Sequence, residues 1–132
     1  MSHHSEILPL GQSVLAAQGW DGATRAIMLA AKQLPVLPEA ARSDENLVPG
    51  CESQVWLARD TSTTSSMILA YSPSKIIRGV LAVLLEKANS VSDEHRACVD
   101  FHQYLRECEL ARHLSQSRSN GITGVIKRLN TL

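Results

Sequence analysis

Cys51 has the clearest chemical potential in the chain. It follows Pro49-Gly50, a turn signal in which glycine can take backbone angles closed to other residues, and it precedes the polar run Glu52-Ser53-Gln54. That is a poor setting for a cysteine used as a small apolar core residue and a suitable one for a reactive thiol. The thiolate is the nucleophile in sulfur chemistry, and exposure and local electrostatics set its reactivity. Arg118 is the second candidate. It stands at the start of a helical pattern, where the macrodipole does not favour a cation. Either it pairs with a surface carboxylate, or it approaches the thiol or a partner and favours an anion there. Glu52 and Gln54 flank the thiol as supporting or partner-contacting groups, and Trp56 beyond them reads as an aromatic packed on a sheet.

A second set, His95, Cys98, His102 and Cys108, falls in one region. Cys98 and His102 are one helical turn apart, yet the tight Cys-Cys or His-His pairs that announce zinc are missing, so no metal site is expected. These two cysteines are expected to be packing residues.

The elements that must position these groups can be read from hydrophobic spacing. Gln54–Arg59 alternates, with Val55 and Leu57 on one face, and predicts a strand. After the Ser/Thr run 61–66, Met67–Tyr71 alternates again as the second arm of a hairpin. Ahead of it, a short helix is predicted over Leu10–Gln18, ended by Gly19. A second helix, capped by Asp21, carries Ala23, Ala26, Ile27, Ala30 and Leu34 and stops at Pro35 and Pro38. Behind it, Ser72-Pro73-Ser74 opens a helix with the stripe Ile76, Ile77, Val80, Leu81, Leu84, Leu85 and Ala88. Inside that helix Gly79 costs about 1 kcal/mol relative to alanine, which implies a close neighbour. A turn at Ser92, a helix over Phe101–Cys108 and a last helix over Ser119–Leu129 complete the chain. Helices, a hairpin, then helices give an α+β class: a small antiparallel sheet packed against helices on one face.

With 132 residues the chain makes a single domain, 1–132. Thirteen Lys and Arg against thirteen Asp and Glu give zero net charge, and aromatics are 4%. Both argue against nucleic acid as a partner. The apolar stretch Ile76–Ala88 is too short and too charged to span a bilayer, and Met1–Leu10 lacks the features of a signal peptide. Three widely spaced cysteines make no disulfide framework, which points to a reducing cytoplasm.

The block Pro49-Gly50-Cys51-Glu52-Ser53-Gln54-Val55-Trp56-Leu57 resembles the Gly-Cys-x-Ser-x-Val-Trp signature of the SufE-like (SufE and CsdE) sulfur-acceptor family. Gln33-Leu34-Pro35, Ile76-Ile77-Arg78-Gly79-Val80-Leu81-Ala82 and His113-Leu114-Ser115-Gln116-Ser117-Arg118-Ser119-Asn120-Gly121 resemble three further family blocks, and all lie in family order. The resemblance implies the fold shared by SufE-like and IscU-like proteins. It also implies that Cys51 accepts persulfide sulfur from a pyridoxal-phosphate cysteine desulfurase, SufS-type or CsdA-type, stimulates that enzyme and passes sulfur toward an iron–sulfur scaffold. On that reading the chain is a carrier without a cofactor of its own, not an enzyme, and a homodimer is left open. Where many members carry an acidic turn before the central helix, this chain has Ala70-Tyr71-Ser72-Pro73-Ser74. The rival readings are an IscU-type cluster scaffold, needing three converging cysteines, and a stand-alone thiol enzyme, needing a base beside the thiol. Leu47-Val48-Pro49 is too apolar to stay in water, so the Cys51 loop is expected to fold back near Trp56 and the last helix.

Overall fold

The computed structural model describes residues 7–49, 53–60 and 67–132, with Ser117 described by its backbone alone. The expected turns at Gly50 and over 61–66 lie outside the described residues, as do Cys51 and Glu52. Helices α1 (Pro9–Ala16) and α2 (Gly19–Ala30) lead to the strands β1 (Trp56–Arg59) and β2 (Ile68–Tyr71). These are followed by α3 (Lys75–Ala88), α4 (Asp93–Arg96), α5 (Phe101–Glu107) and α6 (Gln116–Thr131). The class is α+β.

The break between α1 and α2 falls at Gly19, whose φ of 69° lies in the left-handed region that favours glycine. Because that residue already starts α2, Asp21 is not the cap but a first-turn carboxylate, where it faces the positive end of the helix dipole. The α-helix also ends earlier than expected, at Ala30, and continues as one 3-10 turn to Gln33 before Pro35.

The antiparallel pair β1–β2 aligns Trp56 with Tyr71 and Arg59 with Ile68. Single bridges widen it on both edges: Leu47 to Trp56, and Val36, in parallel, to Ala70. Val55, Leu57, Ile68 and Ala70 point into the core, while Trp56, Ala58, Leu69 and Tyr71 are half-buried on the other face. Beneath the sheet lies α3, against which α2 and α1 also pack. Its expected stripe is buried, but so are Ala82 and Val83, so the helix is enclosed on nearly every side from Gly79 to Leu85. Ser74 caps it, accepting from the Ile77 amide at 3.3 Å. Gly79 is where α2 crosses: a Cβ there would meet the backbone carbonyl of Ile27.

Polar side chains fix the remaining ends. Glu86, one of the charges interrupting the apolar run, accepts from the Leu10 amide at 3.0 and 3.2 Å and so caps α1 from a distance. Asn89, just after α3, accepts from the Ile68 amide at 2.8 Å and donates to its carbonyl at 3.1 Å, closing the sheet's far end. The buried Arg96 donates to the carbonyls of Leu129 and Leu132, at 3.3 and 3.0 Å, and satisfies the C-terminal end of α6. That last helix begins three residues earlier than its apolar spacing indicated, because Ser115 caps it through the Arg118 amide at 3.3 Å.

Candidate functional site

The site is built around the root of the segment 50–52. The Val48 amide donates to the Val55 carbonyl at 2.8 Å, next to the Leu47–Trp56 bridge, so the chain leaves and rejoins the sheet at one point. Both valines are 2% exposed, which anchors the two ends of the segment in the core. In sequence Cys51 stands three residues after Val48 and four before Val55. The last helix presses on this root: a Cβ placed on Gly124 would lie 3.1 Å from the Pro49 carbonyl oxygen and 3.2 Å from Val48 Cγ1. Val48 is buried and Pro49 exposed, while Cys51, on which the expected folding-back turns, lies outside the described residues.

Gln54 is exposed on the outgoing limb, and Arg118 is exposed in the first turn of α6. Neither side chain has a hydrogen-bond or ion-pair partner among the described residues, and the structure does not bring the two into contact. Arg118 sits six residues before Gly124, about 9 Å along the helix at 1.5 Å per residue.

The other two cysteines differ sharply. Cys108 is wholly buried. Burial pushes its thiol up to about 11, so the nucleophilic thiolate is scarce at neutral pH. Cys98, expected to be a packing residue, is exposed after the short α4, whose four residues leave it on the outer side. Among the described residues no group of three or more His, Cys, Asp or Glu side chains is placed to hold a metal ion. Nor is any helix of the described residues long and apolar enough to cross a membrane.

Sequence reading passed over one feature beside the root. On the outer face of the sheet Trp56 and Tyr71 stack, with ring centroids 6.4 Å apart at 30°. Arg42, from the polar connector, lays its guanidinium carbon 3.5 Å from the Tyr71 centroid, and Arg78, from the first turn of α3, lies 5.5 Å from it. Arg42 was hidden because nothing in a run of polar residues marks the one that stacks on a distant ring.

An α+β domain whose glycine–cysteine segment is rooted between two core valines is the class that fold and site define. Comparison with known proteins makes it specific. The SufE family model, described as an Fe-S metabolism associated domain, matches residues 10–132. An uncharacterised SufE-like protein of Rhizobium etli is 33% identical over 114 residues, covering 83% of this chain and 77% of its own. Another, from Rhizobium meliloti, is 31% identical over 116 residues, covering 85% of this chain and 83% of its own. The chain belongs to the SufE-like family, and its role lies in iron–sulfur-related sulfur metabolism.

Proposed function

We propose that the protein is a persulfide acceptor: Cys51 takes sulfur from the persulfide of a pyridoxal-phosphate cysteine desulfurase, stimulating that enzyme and carrying the sulfur toward an iron–sulfur scaffold. The Cys51 thiolate attacks the outer sulfur of the enzyme's persulfide. The enzyme's S–S bond breaks, its cysteine leaves as a thiolate, and a persulfide forms on Cys51. No external oxidant is needed, because the transferred sulfur arrives at the oxidation level it keeps. Membership of the SufE-like family over residues 10–132 carries this reading. The contrast among the thiols supports it, since Cys108 is enclosed and poorly ionised, and Cys98 lies outside the signature. Glu52, Gln54 and Arg118 are proposed to contact the partner or favour the sulfur anion. A cytoplasmic location follows from the partner proposed. An IscU-type scaffold is less well supported, because it needs three converging cysteines, and of the two described ones Cys98 is exposed and Cys108 is enclosed.

Incubation with SufS-type or CsdA-type desulfurase and cysteine should add about 32 Da, one sulfur atom, to Cys51. Cys51→Ser should abolish transfer with the fold kept, and Cys98→Ala should retain it. An adduct on Cys98 or Cys108 in place of Cys51 rejects the assignment. In the free protein Cys51 should alkylate more slowly than a peptide thiol and faster once a catalytically dead desulfurase is added.

A further inference from the structure

We propose that Arg42 and Arg78, set around Tyr71 at the loop-root end of the hairpin, are the docking surface for a carboxylate-bearing segment of the protein that delivers sulfur. The inference rests on the sulfur-acceptor reading and names the chemistry by which the partner is held. Trp56 and Tyr71 are paired in register at the end of the sheet from which the segment 50–52 departs. Their stacked rings form a half-buried platform on the outer face.

Each guanidinium is fixed by part of its donor set only. Arg42 Nε donates to the Leu37 carbonyl at 3.0 Å, which leaves both terminal amino groups. Arg78 Nη1 donates to the carbonyls of Ser72 and Pro73, at 2.8 and 3.2 Å, which leaves Nε and Nη2. Distances of 3.5 and 5.5 Å to one ring centroid place the two guanidinium carbons within about 9 Å of each other, near the Debye length at physiological salt. Among the described residues no carboxylate pairs with either. The fold thus holds two like charges near one ring, neither of them in an ion pair with a described carboxylate, with donor edges left over.

A carboxylate meets that requirement. Guanidinium forks match it bidentately, and a guanidinium already stacked on a ring loses less freedom on binding than a free one. Two cations on an aromatic platform, in a chain of zero net charge, do not make the extended basic field that a nucleic acid needs. An acidic protein segment fits, and one docked here lies beside the root of the Cys51 segment. The site positions the partner; the transfer itself stays with Cys51.

The test titrates Arg42→Gln, Arg78→Gln, the double variant and the Arg42→Lys/Arg78→Lys pair against purified SufS-type and CsdA-type desulfurases at about 50 and 200 mM salt. The double glutamine variant should weaken binding roughly tenfold at the lower salt, flatten the salt dependence and raise the KM for sulfur acceptance in parallel. The lysine pair should recover part of the affinity, since it keeps charge but not the fork. Should Arg42→Gln loosen the segment it anchors, Arg78→Gln alone carries the test, with a loss of about threefold expected. Kd and KM within twofold of wild type in a folded double variant overturn the docking surface and leave the acceptor reading standing. A wild-type protein that neither binds nor takes sulfur from either enzyme overturns both.

Discussion

Replacing Gly79 by alanine should destabilise the fold, against its helix propensity. Within α3 the exchange favours the helix by about 1 kcal/mol. The new methyl, however, would lie 2.8 Å from the carbonyl carbon of Ile27 and 2.5 Å from its Cγ2, with the carbonyl oxygen closer still. Ordinary contact needs about 3.4 Å or more, and most of what stands in the way is backbone of α2, so that helix must shift by something near 1 Å. Ile27 is 1% exposed and Val80 fully buried, which leaves no slack at the crossing. Overpacking of this kind costs about 3 kcal/mol, so the net loss is about 2 kcal/mol. With an unfolding entropy of about 2.1 cal/mol/K per residue, Tm should fall by roughly 7 °C. Gly22→Ala is the control: its Cβ meets only Ala17 atoms at 3.8 Å, so it should gain the helix term and melt slightly higher. Thermal and denaturant unfolding of both variants decide the matter. A Gly79→Ala protein as stable as wild type, with the same denaturant slope, refutes a backbone contact between α2 and α3 at this point.

Gly124→Ala should separate stability from function: the helix gains about 1 kcal/mol while the root of the Cys51 segment is pushed outward by a few tenths of an ångström. Tm should hold within a few degrees, and sulfur acceptance should fall several-fold in a desulfurase-coupled assay. Asp93 is held below the usual carboxylate range, first by its hydrogen bond from Arg59 and then by that from Arg96. Its contribution is therefore present above the unfolded value of about 3.9 and is lost as pH falls through the lower folded one. Asp93→Asn should accordingly melt below wild type at pH 7, and the difference should close below about pH 4 in pH-dependent unfolding. A constant difference across that range speaks against the ionised pair.

Where the sequence was legible, a local rule and the tertiary packing pointed the same way. The hairpin followed from strict alternation, and Ser74 caps the helix its position announced, whereas Ser92, read as the start of a turn, caps the short helix α4. Gly79 in an apolar helix signalled a close neighbour, although which one could not be read, because the Ile27 contact is set by how two helices cross. Asp21 misled for a local reason, since Gly19 could start the helix two residues sooner in a conformation that other residues avoid. The site divides in the same manner. Cys51 was marked by its neighbours in the chain, whereas the Arg42–Tyr71–Arg78 cluster joins three segments that have nothing in common but the sheet edge.

The polar interruptions of the core each secure the end of a helix or strand. Glu86 breaks the apolar run of α3, yet it satisfies the first turn of α1, which has no side-chain cap of its own. Arg96 is 3% exposed, a costly place for a cation unless it is paired. Its partners are Asp93 at 2.9 Å and the terminal carbonyls of α6. Asp93 in turn reaches Arg59 at the end of β1, at 3.2 Å. One carboxylate thus ties the strand that leads out of the Cys51 segment to the helix whose Gly124 presses on that segment's root. That tie is open to solvent at Asp93, so the root itself is held mainly by the burial of Val48 and Val55 and by the hydrogen bond between them, and moving it would uncover core.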